Sequence, residues 1–155
     1  MDSFLIFQKV EVRRMSKVAV VYWSGTGGNT QMMAEQIAKG AQEAGAAVTL
    51  FTASEFSSEK MDEFDSIAFG CPSMGAEELE ESEFAPMFSG CEAKLPGKKI
   101  ALFGSYGWGD GEWMRNWEET CRGDGVSMWG SCGWIGEWDE DGGAAAIRAC
   151  ARRAG

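Results

Sequence analysis

The stretch VAVVYWSGTGGNT, Val18 to Thr30, decides how the rest of the chain is read. Its first six residues, Val18–Trp23, are an uninterrupted apolar run of the kind carried by a strand buried on both faces, so they are expected to form the central strand of a parallel sheet. Small residues and hydroxyls follow at once, and then a segment, Thr30–Ala44, in which Met33, Ile37 and Ala41 recur at helical spacing. A junction of this kind turns backbone N–H groups and the positive end of a helix toward one point. Glycines there permit close approach, and Ser24, Thr26 and Thr30 add hydroxyl donors. That chemistry suits a phosphate. The stretch lacks the lysine of a nucleoside-triphosphate loop, with Gln31 and its neighbours supplying none, and it does not follow the dinucleotide pattern G-x-G-x-x-G. A monophosphate held without a counter-charge is one reading, and an ordinary turn with a helix cap is the other; this loop alone does not choose between them.

Working outward, short apolar runs alternate with helical segments, the pattern of a parallel sheet with helices on both faces. Gly45 stands where a helix C-terminal cap belongs. Ala47–Thr52 reads as the second strand, EKMDEF as a short helical turn, Ser66–Gly70 as the third strand and Lys99–Gly104 as the fourth. A loop and a glutamate-rich stretch follow the third strand. Glu112–Arg122 reads as a helix burying Trp113, Trp117 and Cys121. Val126–Trp138 has β-forming residues interrupted by three glycines, which weaken a strand or mark bulges. Ala144–Ala154 closes the chain as a helix with an apolar stripe of Ile147, Cys150, Ala151 and Ala154.

Composition narrows the chemistry. The 155 residues carry 14 basic and 24 acidic side chains, a formal charge of -10 that repels nucleic acid and anionic lipid and favours basic partners. Histidine is absent, which removes Ser-His-Asp and Cys-His catalysis and every histidine-containing metal site. Five cysteines without C-x-x-C spacing suggest neither a disulfide framework nor a metal or iron–sulfur site, and fit reduced thiols in cytoplasm. MDSFLIF is too short an apolar run for a signal peptide, and no later segment approaches a membrane span. Residues 1–14 join no pattern, so they are read as a disordered extension or a mis-assigned start, EVRR before Met15 being encodable by a purine-rich ribosome-binding stretch; residues 15–155 are read as one domain.

In open parallel sheets a ligand lies outside the carboxyl ends of the strands, which makes the loops after strands one, three and four the ones that matter. They read SGTGGNT, CPSMGAEE and SYGWGDG. Tyr106 and Trp108 among glycines offer a flat surface for stacking. Met74 offers a polarisable side chain for the opposite ring face, and Gly75 a residue free to take positive φ. Each feature has a structural explanation of its own, but their coming together at one sheet edge describes a slot for a planar ring with a phosphate tail.

At this point the residues resemble the flavodoxins, most closely the short-chain anaerobic kind, from about Lys17 to Gly125, with YWSGTG, MG, LEESEF and ALFGSYGWGDG as the specific parts. The resemblance implies a doubly wound five-stranded α/β sheet in the order 2-1-3-4-5, the general geometry of flavodoxin-like folds, with FMN at the switch point. It implies that Ser24, Gly25, Thr26, Gly27, Gly28, Asn29 and Thr30 bind the phosphate. Met74 and Trp108 flank the isoalloxazine, Glu77 accepts from the ring N3–H, and Gly75 turns its carbonyl toward N5 when one-electron reduction brings a proton there, favouring the neutral semiquinone. Ser73, Ala76, Ser105, Tyr106, Gly107 and Gly109 complete the cofactor-binding set. The implied function is a low-potential one-electron carrier, not an enzyme, that cycles between semiquinone and hydroquinone.

Three departures stand out. The family's phosphate loop usually reads SGTGNT, and here Gly27-Gly28 adds a residue that must bulge. Pro72 replaces a serine that often reaches the phosphate, leaving neither hydroxyl nor N–H. Ala76 stands where an acid is common. Five glutamates from Glu77 to Glu83 have the look of a solvated helix face beside the slot, and as an acidic rim they would steer basic redox enzymes into brief contact with a monomeric carrier. Two other functions are open on the same fold: an FMN-dependent quinone or NAD(P)H reductase, which needs an open pocket over the flavin, and a regulatory module that has lost flavin. A phosphoacceptor receiver is excluded, because Ser24 and Cys71-Pro72 occupy the positions where it needs acids.

Overall fold

A computed structural model describes residues 16–24, 28–72, 79–106, 112–125 and 127–135. The expected extension at 1–14 and the closing helix at 144–154 lie outside these residues. Strands β1 (Lys17–Tyr22), β2 (Ala47–Thr52), β3 (Ser66–Gly70), β4 (Lys99–Tyr106) and β5 (Ser127–Ile135) form one sheet in the order β2-β1-β3-β4-β5, with every neighbouring pair parallel. The helices are α1 (Asn29–Glu43), α2 (Phe84–Cys91) and α3 (Glu112–Gly123). The apolar run at Val18–Tyr22 is interior but one place off centre; the middle position belongs to β3, all of whose residues are buried.

Alternate side chains of the interior strands enter two separate cores, as the two-residue period of a strand requires. Val18 and Val20 of β1, Ala68 of β3, and Ala101 and Phe103 of β4 pack with Met33, Ile37 and Ala41 of α1. Ala19, Val21, Ile67, Phe69, Ile100 and Leu102 face the other way, against Phe84 and Phe88 of α2 and Trp113, Trp117 and Cys121 of α3. This second core is aromatic: Phe69, Phe88, Phe84 and Trp117 form edge-to-face pairs at 5.1–5.6 Å, each adding to simple area burial.

α1 ends as its sequence predicts. Gly45 takes φ +96°, its N–H bonds to the Gln42 carbonyl and that of Ala46 to the Ala41 carbonyl, the paired bonds of a glycine-terminated helix. The structure bears on three further expectations, correcting the first and third and bearing out the glycine-marked bulge of the second. β4 does not stop at Gly104: Ser105 and Tyr106 extend it by pairing with Trp134 and Ile135, so these two belong to the strand and not to the loop. β5 runs over Ser127–Ile135, and Met128 opposes Ile100 while Gly130 opposes Ala101, which leaves Trp129 as an extra residue in a bulge beside the first strand glycine. The third is α2, read from sequence as loop and glutamate-rich stretch.

Glu80 makes that helix. Its Oε1 accepts from the N–H and hydroxyl of Ser82, its Oε2 accepts from the N–H groups of Glu83 and Phe84 at 2.9 Å each, and its backbone carbonyl accepts from Ala85 N–H at 2.8 Å. The next residue, Pro86, has no N–H to satisfy, and Met87 begins the bonds to the preceding turn with Glu83. One acidic residue thus takes up the free donors of the helix start. Burial opposes the charge, but the bonds from Ser82, Phe84 and Glu83 together outweigh it and hold the carboxyl down at about 2. Glu80 is 5% exposed, and the described part of the run is no helix face: Glu81, Ser82 and Glu83 form an exposed turn before the helix.

Candidate functional site

Two of the three candidate loops start from one line across the sheet. Tyr22 of β1 lies opposite Gly70 of β3, and Gly70 opposite Phe103 of β4, so β1 and β3 end side by side while β4 runs on to Tyr106 before its loop begins. The pairing continues one step further. Trp23 N–H donates to the Gly70 carbonyl at 3.0 Å, and Cys71 N–H to the Phe103 carbonyl at 3.1 Å.

On this edge Ser24 follows β1 and is half-buried, Gly28 is the N-cap of α1, and Asn29 and Thr30 open the helix, with Thr30 buried. Gly25, Thr26 and Gly27 lie outside the described residues. The α1 N-terminus has no side-chain cap and no acidic residue in its first turn. Helix starts usually gain one or the other, because the first N–H groups have no partner inside the helix and carry its positive end. A carboxylate of the protein would compete with an anionic ligand for those groups; among the described residues the first turn of α1 holds none. The donor set at this edge, amide hydrogens and hydroxyls after a buried strand, fits a phosphate monoester.

The β3 root is Cys71 and Pro72; Ser73, Met74, Gly75, Ala76 and Glu77 lie outside the described residues. Cys71 is buried, and its thiol is pushed up to about 12, first by desolvation and then by the Glu80 charge, with the Glu80 N–H bond opposing. It is a structural thiol, not a reactive one. At the β4 root the backbone of Ser105 and Tyr106 is placed in the strand, and Gly107, Trp108 and Gly109 lie outside the described residues. Next to these roots, Trp113 in the first turn of α3 donates its indole N–H to the Cys71 carbonyl at 3.3 Å, and Gly104 lies directly under that carbonyl: a Cβ on Gly104 would stand 2.1 Å from Cys71 O. Sequence reasoning placed Trp113 on a core face and left Gly104 without a role. No periodicity encodes an indole N–H reaching across to another strand, but a glycine ending an apolar strand beside the ligand edge was a readable sign of close backbone approach.

A parallel, doubly wound sheet with its switch point between β1 and β3, and an α1 N-terminus without side-chain cap or first-turn acid after β1, has the layout of the mononucleotide-binding α/β proteins. A profile of the flavodoxin family matches residues 20–153. The chain is 52% identical over 106 residues to a flavodoxin of Clostridium beijerinckii, covering 68% of this chain and 76% of that one. It is 45% identical over 114 residues to a flavodoxin of Megasphaera elsdenii, covering 74% and 82%. The solution structure of the two-electron reduced Megasphaera elsdenii flavodoxin superposes with a TM-score of 0.78 at 39% identity, over 88% of this chain and 98% of that one. The chain belongs to the flavodoxin family. It is accordingly an FMN-binding electron carrier and not an enzyme, and neither the reductase nor the flavin-free reading is favoured. FMN, when bound, supplies the electron chemistry; the chain supplies binding, orientation and electrostatics. Among the described residues no helix is long and apolar enough to cross a membrane.

Proposed function

We propose that residues 15–155 form the FMN-binding unit, with 1–14 as an extension, and that the cofactor lies along the edge just described. Ser24–Thr30 hold the phosphate, Met74 and Trp108 take the two ring faces, Gly75 and Glu77 contact the ring's polar edge, and Ser73, Ala76, Ser105, Tyr106, Gly107 and Gly109 line the rest. The observation that carries this reading is the shared register of Tyr22 and Gly70, which ends β1 and β3 side by side next to an α1 N-terminus without side-chain cap or first-turn carboxylate. Gly28 and Pro72 change the phosphate donors but leave that N-terminus in place.

The comparison of FMN with riboflavin tests the assignment. A phosphate seated on the α1 N-terminus is expected to make FMN bind more tightly by roughly a hundredfold or more, the sum of two or more charge-assisted amide bonds. Equal affinities, measured by flavin fluorescence quenching on the apoprotein, would remove Ser24–Thr30 from the site.

The working range is low potential. Each carboxylate about 10 Å from the flavin disfavours an added negative charge by ~0.4 kcal/mol at the dielectric of water. The phosphate site has no lysine or arginine in Ser24–Thr30 to offset this. Glu81 and Glu83 are exposed beside the β3 root, while Glu80 is committed to α2. The same exposed acids favour basic redox partners in brief encounters with a monomeric, cytoplasmic carrier, a location that buried reduced thiols at Cys71, Cys91 and Cys121 suit. Electron-transfer rates to a basic partner are expected to fall about tenfold between ~0.02 and ~0.3 M salt in stopped-flow measurements; rates indifferent to salt would count against the acidic rim.

A further inference from the structure

Cys71 is fastened through each of its polar atoms. Its N–H donates to the Phe103 carbonyl at 3.1 Å, its carbonyl accepts the Trp113 indole N–H at 3.3 Å, and its Sγ accepts from Glu80 N–H at 3.3 Å while the thiol donates to the Pro72 carbonyl at 3.5 Å. These bonds join β4, the first turn of α3 and the residue that starts α2. Residues 73–78 lie outside the described residues, and on either side of them Pro72 and Glu80 are both bonded to Cys71. All three side chains are buried: Cys71 is 0%, Trp113 2% and Glu80 5% exposed, so water does not replace these bonds when one is removed.

We propose that Cys71 and Trp113 are positioning residues that set the two one-electron potentials of the bound flavin, through the place they give the chain on either side of Pro72–Leu79. The inference rests on the assignment of Met74, Gly75 and Glu77 to the ring. A protein separates successive redox states only by contacting them differently, and contacts discriminate to the extent that their supports are fixed. Trp113 and Cys71 touch no reacting atom; they fix the root from which the ring contacts spring. Loosening that root broadens the set of contact geometries and weakens the discrimination, so the two potentials draw together.

Four variants test this: Trp113→Phe, which keeps a ring and loses the donor; Cys71→Ala, which loses the acceptor for Glu80 N–H; Cys71→Ser, which restores one; and Cys121→Ala, a buried cysteine in α3 outside this cluster. In Trp113→Phe and Cys71→Ala the ratio of the two one-electron equilibrium constants is expected to fall by a factor of three or more, about 28 mV in the separation of potentials. Cys71→Ser is expected to recover most of the loss, and Cys121→Ala to leave the separation unchanged. In the apoproteins, the amides of Cys71 and Glu80 are expected to exchange with deuterium roughly tenfold faster in the first two variants, while β1 and β4 keep their rates. This second measurement remains readable in a variant that binds no FMN. Unchanged potentials in both variants, an equal shift in Cys121→Ala, or faster exchange throughout β1 and β4 would overturn the positioning role. A wrong placement of Met74, Gly75 and Glu77 against the ring would show itself separately, as an unchanged semiquinone yield in Gly75→Ala.

Discussion

Gly104→Ala is expected to destabilise the apoprotein by about 3 kcal/mol and to weaken FMN binding roughly tenfold or more. The added Cβ would meet Cys71 O at 2.1 Å and both the Cys71 carbonyl carbon and a Trp113 ring carbon at 3.0 Å. The nearest of these is backbone, so no rotamer change relieves the contact. β3 and β4 are locked side by side through Gly70 and Phe103, which makes displacement of Cys71 the remaining outlet, and Cys71 is the root of the segment proposed to meet the ring. Urea unfolding and an FMN titration on the same variant separate the two effects. Gly90→Ala is the control: nothing lies within 4 Å of its Cβ in α2, and a glycine inside a helix is worth ~0.5–1 kcal/mol less than alanine, so this variant is expected to be somewhat more stable than the parent. A Gly104→Ala protein as stable as the parent would mean that Cys71 and Gly104 are not in the close approach described.

Glu80→Gln is expected to cost about 2 kcal/mol at neutral pH, and Glu80→Ala more, because the N–H groups of Ser82, Glu83 and Phe84 lose a charged acceptor, and that of Phe84 is buried from water. The pH dependence has a definite sign. The folded-state carboxyl lies at about 2 against an ordinary 4.5, so the charged form is the one the fold favours. Its contribution is complete above the ordinary value and is lost as the pH falls from 4.5 toward 2. The difference in unfolding free energy between the parent and Glu80→Gln should therefore be largest near neutrality and shrink toward pH 2. A difference that stays constant down to pH 2 would show that the charge on Glu80 contributes nothing to α2.

Much of the architecture was legible because it rests on periodicity. The two-residue alternation of Val18, Ala19, Val20 and Val21, the spacing of Met33, Ile37 and Ala41, and Gly45 as a terminator all report burial patterns that a linear sequence carries directly. α2 was hidden for a different reason. FAPMFSGC holds a proline and a glycine, each a local signal against a helix, and what makes it helical is a carboxylate several residues upstream acting together with a proline that needs no partner. β4 outran its expected end because pairing with β5 extends it, a contact between segments that are far apart in sequence. The ligand edge was legible as three loops, and its residues outside the described set remain proposals. Of the Cys71, Trp113 and Gly104 cluster only the glycine left a readable sign, since hydrogen bonds between separate elements leave no period.

The measurement closest to the central claim is a spectroelectrochemical titration of the purified protein reconstituted with FMN, followed by its visible absorption at each potential. One flavin per chain passing through two resolved one-electron stages is the predicted result. A protein that binds no flavin, or one whose flavin takes up both electrons in a single unresolved stage as it does free in water, would contradict a sheet edge built to hold FMN and divide its electrons.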